Sequence, residues 1–160
     1  VVPDINGEES LKLLREAEPD ILISSTFSQI LSAEVIRIPK VCGINVHASL
    51  LPDYRGPAPV FWALYERAPK TGVTVHYLDT GIDTGNIIMQ REIEIDPTDD
   101  IRSLEDKIAP LTADMIVDTV NLIKSGNAKG TPQPAKKKYY PRPKREDWKN
   151  FEKIMKSGRK

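Results

Sequence analysis

The chain has 160 residues, of which 39% are hydrophobic and 29% charged, and its 23 basic and 23 acidic side chains leave no net charge. This length allows one domain with a real core, and the composition is that of an ordinary soluble globular protein. A single cysteine, Cys42, excludes an internal disulfide framework, and no apolar run approaches the roughly 20 residues of a membrane span. We therefore expect a cytoplasmic protein in which Cys42 is a small buried residue.

The charge is unevenly distributed along the chain. Residues 1–134 carry 12 Lys or Arg against 20 Asp or Glu, whereas residues 135–160 carry 11 against 3. We expect a core over residues 1–134 and a basic tail with a short helix over residues 135–160. The tail suits either contact with phosphate or a solvated helix that keeps the protein soluble, and the solvated helix is favoured. The chain opens on VVPDINGEES, without Met or a signal-type apolar stretch, so we expect a trimmed piece of a longer protein.

Apolar periodicity, capping residues and prolines predict alternating helices and strands. Asn6 followed by Glu9 resembles a capping box and predicts that a first helix starts at Glu8. Ser32 is expected to cap a short second helix that ends before Pro39. A helix that leads into a short apolar strand indicates a parallel α/β sheet. The predicted helices cover residues 8–18, 32–38, 57–67, 101–125 and 146–156, and the predicted strands cover residues 20–25, 44–47, 71–79 and 86–95.

The stretch with the most chemical character is GINVHASLLPDYRGPAP, residues 43–59. Residues 44–47 alternate apolar with polar, and in a β-strand residues two apart share a face. Asn45 and His47 are therefore expected to point the same way. An irregular loop follows directly, and the end of a strand in an open α/β sheet is where ligands commonly bind. A carboxamide and an imidazole would then face one cleft.

A second stretch, TGVTVHYLDTGIDTGNIIMQ, starts at Thr71 and predicts two adjacent strands joined by a glycine-containing loop over residues 80–85. Asp83 lies in that loop. His76 lies in the middle of the first strand, and we expect it to be a core or edge histidine with satisfied hydrogen bonds.

The strings INVHASLLPDYRGPAP and TGVTVHYLDTGIDTGNII resemble the two signature segments of the folate-dependent formyltransferases. The resemblance covers roughly residues 19–126 and includes the Asn-x-His pair, the Ser-Leu-Leu-Pro turn and the Asp-x-Gly segment of that family. It implies a Rossmann-like three-layer α/β fold with a mixed sheet, here expected to lack the amino-terminal strands. It also implies 10-formyltetrahydrofolate as formyl donor, no metal, and residues 1–134 as a partial catalytic core.

The resemblance further implies roles for individual residues. The catalytic group falls on Asn45, His47 and Asp83, and Arg55 and Gly56 are expected to bind the acceptor substrate, although Arg55 equally suits a tie to Asp53 within its loop. The expected folate-binding residues are Phe27, Ser28, Gln29, Ile30, Leu50, Pro52 and Asp79.

The implied reaction is attack of a primary amine on a formyl carbon, which gathers negative charge on the formyl oxygen. The Asn45 amide and a protonated His47 suit stabilisation of that charge, with Asp83 raising the pKa of the imidazole and ordering a water. The Arg-Gly-x-x-Pro segment resembles the methionyl-tRNA and nucleotide-sugar enzymes of the family, and a methionyl-tRNA-type acceptor is expected slightly ahead of a sugar nucleotide. Three alternatives stay open: a nucleotide-sugar acceptor, hydrolysis of 10-formyltetrahydrofolate, and a binding module without turnover.

Overall fold

A computed structural model describes residues 4–134 and 138–157 of the chain. Those ranges contain five helices and four strands. In chain order they are α1 (Glu8–Ala17), β1 (Ile21–Ser25), α2 (Ala33–Ile36), β2 (Cys42–His47), α3 (Pro59–Tyr65), β3 (Lys70–Tyr77), β4 (Ile87–Glu94), α4 (Ile101–Lys124) and α5 (Arg145–Ser157). Every predicted element is therefore present, with ends that differ by a few residues.

The four strands form one mixed sheet in the order β1-β2-β3-β4. Strand β1 runs parallel to β2, while β3 and β4 are antiparallel to their neighbours. The parallel pair results from the helix that connects β1 to β2, and the antiparallel pair β3-β4 results from the short loop after Tyr77. The predicted α/β fold with a mixed sheet is confirmed.

The hydrophobic core lies on one face of this sheet. Ile44 and Val46 of β2 and Val73 and Val75 of β3 are at most 7% exposed, and they belong to one cluster with residues of α3 and α4. Trp62 is part of this cluster, as expected for a core residue rather than a ligand platform. Because side chains alternate along a strand, the polar residues between these apolar ones lie on the opposite face.

The start of α1 differs from the expected capping box. The N-cap residue is Gly7, which has no side chain to cap the helix, and the Asn6 carboxamide bonds elsewhere. Its Nδ2 donates to the carbonyl of Ile30 at 2.9 Å, and its Oδ1 accepts from the Ser32 N–H at 2.8 Å. Asn6 therefore fastens the loop after β1 instead of capping its own helix. Ser32 caps α2 as predicted, by accepting from the Val35 N–H.

The last described segment packs against the rest of the molecule. Tyr140 and Phe151 are 8% and 7% exposed, and both belong to the main core cluster. The Phe151 ring lies 4.9 Å from that of Phe61 on α3. The basic side chains of α5 are exposed: Arg145, Lys149, Lys153 and Lys156. The division at residue 134 stays a prediction. No helix in the described part of the chain is long and apolar enough to cross a membrane.

Candidate functional site

The structure brings together the three residues expected to form the catalytic group. Asn45 and His47 lie on the polar face of β2, and Asp83 lies in the loop between β3 and β4. Asn45 Nδ2 is 3.3 Å from Asp83 Oδ1, and His47 Nδ1 is 3.6 Å from the same oxygen. One carboxylate oxygen is therefore the common neighbour of both side chains, despite the 38-residue separation between Asn45 and Asp83.

The orientation of the His47 ring is fixed by the backbone of the loop that follows β2. Its Nε2 lies 2.9 Å from the carbonyl oxygen of Tyr54. A carbonyl only accepts, so Nε2 carries the hydrogen and donates. In the neutral ring Nδ1 is then an unprotonated acceptor that faces Asp83. Two acceptors 3.6 Å apart, Nδ1 and Oδ1, form a pair suited to a shared proton donor.

His76 of β3 also lies within this cluster. It pairs with Asn45 across the sheet, and its Nε2 is 3.1 Å from Asn45 Nδ2. Its Nδ1 donates to the Tyr77 carbonyl at 2.8 Å, which leaves Nε2 as the acceptor. The Asn45 amide therefore directs one hydrogen at His76 and the other at Asp83. His76 is 2% exposed and both of its ring nitrogens are hydrogen-bonded, as expected for a core histidine. It also orients the Asn45 amide.

The Asp83 backbone adopts a left-handed conformation with φ 53°, which is uncommon outside glycine and tends to mark functional sites. Its Oδ2 accepts the Gly56 N–H at 2.8 Å, which joins this loop to the loop after β2. Gly56 itself has φ 121°, and a Cβ there would lie 2.1 Å from the Tyr140 carbonyl oxygen. Only glycine fits at position 56, so its expected site role coincides with a backbone requirement.

The pKa values in this cluster move in the same direction for different reasons. Burial alone would raise the pKa of Asp83, but the neighbouring imidazoles of His76 and His47 and the Gly56 N–H outweigh it, so the pKa is lowered. Burial lowers the pKa of His47, and the charge of Asp83 opposes that shift without cancelling it. The His47 ring is therefore neutral near pH 7 in the free protein. The protonated His47 expected during the reaction stays a prediction.

The loop predicted to bind folate follows the carboxyl end of β1. Because Ser25 pairs with Val46 in parallel register, this loop and His47 lie at the same end of the sheet, where β1 and β2 terminate. Phe27 and Ile30 are 47% and 68% exposed, which is unusual for large apolar side chains. The other two predicted residues lie beside them: Ser28 is exposed, and Gln29 accepts the Ile5 N–H through Oε1 at 2.9 Å.

The remaining predicted folate-binding residues lie in the two loops that meet at Asp83. Leu50 and Pro52 are half-buried in the loop after β2. Thr74 Oγ1 holds that loop by donating to the Ser49 carbonyl at 2.6 Å. Asp79 is exposed and accepts the Thr84 hydroxyl at 2.8 Å, so its carboxylate shapes the Asp83 loop.

Arg55 is 5% exposed, and its guanidinium points into the protein. Its Nη2 donates to Gln133 Oε1 at 2.7 Å and to the Pro134 carbonyl at 3.2 Å. These bonds tie Arg55 to a segment almost eighty residues away. The tie to Asp53 considered from the sequence stays a prediction. In this structure the guanidinium is committed to the protein rather than directed at a substrate anion. The substrate-binding role of Arg55 stays a prediction.

Two contributors to this site carried little or no sequence signal. His76 could be placed on a strand, but its contact with Asn45 depends on the register between β2 and β3. Gln133 lies in a proline- and lysine-rich stretch without periodicity, and its Nε2 donates to the backbone carbonyls of Asp83 and Gly85. Within residues 4–134 and 138–157, no group of three or more His, Cys, Asp or Glu side chains is arranged to hold a metal ion.

Curated proteins with similar sequences include methionyl-tRNA formyltransferases. The chain is 40% identical to the methionyl-tRNA formyltransferase of Caldanaerobacter subterraneus over 121 residues, which are 76% of this chain and 39% of that protein. It is 39% identical to the methionyl-tRNA formyltransferase of Syntrophus aciditrophicus over 146 residues, which are 91% of this chain and 47% of that protein. The chain thus spans less than half the length of these relatives.

Solved structures with the same fold include other formyltransferases. PseJ of Anoxybacillus kamchatkensis, in complex with UDP-4,6-dideoxy-4-formamido-L-AltNAc and tetrahydrofolate, aligns with a TM-score of 0.69 at 33% identity, covering 77% of this chain and 65% of PseJ. An N-formyltransferase of Helicobacter canadensis, in complex with folinic acid and dTDP-3-aminofucose, aligns with a TM-score of 0.73 at 25% identity. The alignment covers 89% of this chain and 58% of that enzyme. HypX of Aquifex aeolicus shares the fold at 20% identity and a TM-score of 0.75, covering 86% of this chain and 24% of HypX.

The family model described as formyl transferase matches residues 5–120, which include β1 to β4 and the whole Asn45, His47 and Asp83 cluster. That range is well over half of the chain, and the relatives of similar sequence carry the same activity in their names. The chain therefore belongs to the formyl transferase family.

Proposed function

We propose that the protein transfers a formyl group from 10-formyltetrahydrofolate to a primary amine. The observation that carries this proposal is the convergence of Asn45, His47 and Asp83 on a single carboxylate oxygen at the end of β2. A binding module would not require an imidazole and a carboxylate with two acceptor atoms aimed at the same space. Such a pair suits a proton-transfer reaction, in which one group takes the proton and the other stabilises the resulting charge.

His47 is proposed to accept a proton from the attacking amine, and Asp83 to stabilise the resulting imidazolium. An amine that attacks a carbonyl carbon must lose a proton, and the neutral His47 Nδ1 is the acceptor that faces Asp83. Once protonated, the imidazolium lies beside the Asp83 carboxylate, which stabilises its charge. The same ring can then return the proton to the departing nitrogen. His47 would thus act first as a base and then as an acid.

Asn45 is proposed to stabilise the charge that develops on the formyl oxygen. Its two amide hydrogens point at His76 and Asp83, so the amide is held in one orientation before substrate binds. Both hydrogens are thus engaged in the free protein, and one of them would turn to the formyl oxygen when the substrate binds. A donor held at that position during the reaction stabilises the developing charge effectively.

The loop after β1 fits an aromatic cofactor. Phe27 and Ile30 offer exposed apolar surface beside polar backbone groups, which suits the flat ring of a pterin. Bound 10-formyltetrahydrofolate would supply the formyl carbon that the amine attacks. The structures of PseJ and of the Helicobacter canadensis enzyme contain tetrahydrofolate and folinic acid, which supports the choice of a folate.

For the acceptor we propose a methionyl-tRNA-type substrate. The curated relatives named methionyl-tRNA formyltransferase are up to 40% identical, a higher value than the 33% of the sugar-modifying PseJ. The exposed basic residues of α5 also suit a polyanion. A second candidate is the amine of a nucleotide-linked sugar, because PseJ and the Helicobacter canadensis enzyme share the fold and contain such ligands.

The proposal is tested by incubating the purified protein with 10-formyltetrahydrofolate, first without an amine, then with methionyl-tRNA, then with an amino-sugar nucleotide. We expect release of tetrahydrofolate only with an acceptor, and formylated methionyl-tRNA as the product. Release without any amine would instead indicate a hydrolase. Folate binding without release under all three conditions would indicate a binding module.

A further inference from the structure

A segment close to the carboxyl end of the chain crosses both loops of the site. We call residues 128–134 and 138–140 the strap. Thr131 and Ile87 exchange two backbone hydrogen bonds of 2.8 Å, which dock the strap on β4. The Tyr140 N–H donates to the Arg55 carbonyl at 2.8 Å, which docks it on the loop after β2. Gln133 lies between these two anchors.

The Gln133 side chain uses its whole amide to connect the two loops. Its Nε2 donates to the Gly85 carbonyl at 2.7 Å and to the Asp83 carbonyl at 3.1 Å. Its Oε1 accepts from Arg55 Nη2 at 2.7 Å. The two hydrogens and the oxygen of one amide are thus satisfied by the Asp83 loop on one side and the loop after β2 on the other.

The carboxylate of Asp83 is fixed by the neighbour of Arg55. The Gly56 N–H donates to Asp83 Oδ2 at 2.8 Å, and Arg55 directly precedes it. Arg55 is 5% exposed, and Nη2 also donates to the Pro134 carbonyl at 3.2 Å. Backbone and side chain of Asp83 are therefore both tied to the Arg55 segment, the backbone through Gln133 and the carboxylate through Gly56.

The hydrogen bonds of Gln133 offset the conformational strain of the Asp83 backbone. Asp83 adopts φ 53°, a conformation that costs a non-glycine residue free energy and persists only where its surroundings hold it. The Gln133 Nε2 bonds clamp the carbonyls on both sides of the Asp83-to-Gly85 turn. A Cβ at Gly85 would lie 1.8 Å from the Tyr77 carbonyl oxygen, so the turn also lies tightly against β3.

We propose that Gln133, oriented by Arg55, is a positioning residue that holds Asp83 at its distance from His47. The inference rests on the proposed formyl transfer, since it assigns Gln133 a part in the same site. Gln133 would not touch the substrates. It would act by keeping one carboxylate oxygen where both Asn45 and His47 can reach it.

The decisive variant is Gln133→Glu. A glutamate has the same shape and keeps an acceptor for Arg55, but it replaces the two N–H donors with an oxygen that faces two carbonyl oxygens. We expect kcat to fall between about tenfold and a hundredfold, as for small displacements of catalytic groups, with KM for 10-formyltetrahydrofolate within about twofold. Gln133→Met, which removes all polar atoms, is expected to give the same loss of kcat.

The matched control is Tyr140→Phe, which removes hydrogen bonds from the same strap without touching the Asp83 loop. The Tyr140 hydroxyl donates to Glu66 at 3.0 Å. We expect Tyr140→Phe to lower Tm at least as much as Gln133→Glu while leaving kcat within about twofold. Equal losses of kcat in both variants at matched Tm would overturn the proposal, because the strap would then only stabilise the fold.

A second measurement does not depend on activity. Hydrogen exchange of the Gly56 amide reports whether Asp83 Oδ2 still accepts its hydrogen. We expect exchange at Gly56 to accelerate in Gln133→Glu and Gln133→Met, while the core amides of Val73 and Val75 stay protected. Unchanged Gly56 exchange would overturn the proposal even if kcat falls. If the wild-type protein transfers no formyl group, but Gly56 exchange accelerates in the Gln133 variants, the proposed function is overturned and the positioning role of Gln133 stands.

Discussion

His47 Nδ1 and Asp83 Oδ1 lie 3.6 Å apart, and both side chains are largely shielded from water. At this distance and burial, the charge of Asp83 acts on the imidazole with little screening. Burial nevertheless decides the direction, since the pKa of His47 is lowered overall. The pair is therefore a neutral base beside a carboxylate in the free protein, which becomes an ion pair when a proton arrives.

Asp83→Asn is expected to lower the pKa of His47 further. The charge of Asp83 raises that pKa, so its removal leaves burial unopposed. Asn keeps an acceptor for the Gly56 N–H and tolerates the left-handed backbone of residue 83. An NMR titration of the His47 ring measures the change. A pKa that rises in this variant would contradict the electrostatic account.

His47→Gln is expected to reduce kcat by about 10²- to 10⁴-fold, the range typical of a lost general acid or base. His76→Gln should retain most activity, because a glutamine oxygen can replace Nε2 as the acceptor for Asn45. Steady-state kinetics gives kcat for both variants, which are compared at matched Tm. A larger loss in His76→Gln would identify His76 as the acid-base residue instead.

The free energy of unfolding is expected to rise with pH across the window just below pH 6.5. An unfolded histidine has a pKa of about 6.5, whereas burial lowers the pKa of His47 in the folded state. Between the two values the unfolded chain binds a proton that the folded protein does not, so stability falls as pH drops. Asp83, with its lowered pKa, adds a further loss only below about pH 4. Urea titrations of wild type and His47→Gln check this, and equal slopes in that window would contradict it.

Phe151→Ala is expected to reduce the free energy of unfolding by about 3 to 5 kcal/mol, the usual cost of deleting a buried aromatic ring. Phe151 is 7% exposed and packs on Phe61. The control Lys149→Ala, on the exposed face of the same helix, should stay within about 0.5 kcal/mol of wild type. Denaturant titrations of wild type and both variants measure these free energies of unfolding. A small effect of Phe151→Ala would indicate that residues 135–160 form a separable tail.

If methionyl-tRNA is the acceptor, its affinity should weaken steeply as salt rises, because Lys and Arg displace counterions from phosphates. Reversing Lys149 and Lys153 to Glu is expected to lower the salt slope by about one unit per lost phosphate contact. Each single reversal is compared with Lys12→Glu on α1, which changes the net charge by the same amount. Reversal of Lys136, Lys137 and Lys138, of which the first two lie outside the described residues, extends the test along the tail.

Unchanged tRNA affinity and salt dependence in the reversed variants would exclude a role for the basic segment. Formylation of an amino-sugar nucleotide, but not of methionyl-tRNA, would overturn the choice of acceptor itself.

The sequence predicts the elements well because their signals are local. The alternation around Ile44 and Val46 predicts which face of β2 is buried, and it thereby aligns Asn45 with His47. Helix starts are less certain, since a capping residue can bond elsewhere. Asn6 has the spacing of a capping residue, but its amide serves Ile30 and Ser32 across the chain.

The parts of the site that escape prediction depend on long-range contacts. The Asn45-to-His76 pair requires the register of two strands, and the Arg55-to-Gln133 bond joins residues 78 positions apart. No local pattern encodes either contact. The protonation state of His47 is likewise a property of its burial, which exists only in the folded molecule.

The strap also bears on when the site becomes complete during synthesis. Asn45, His47 and Asp83 leave the ribosome well before Gln133 and Tyr140, which hold the two site loops together. A nascent chain that has folded its sheet therefore still lacks the amide that spans those loops. Activity should appear only after Gln133 and Tyr140 have emerged and docked, so that translation of these residues, rather than formation of the sheet, completes the site.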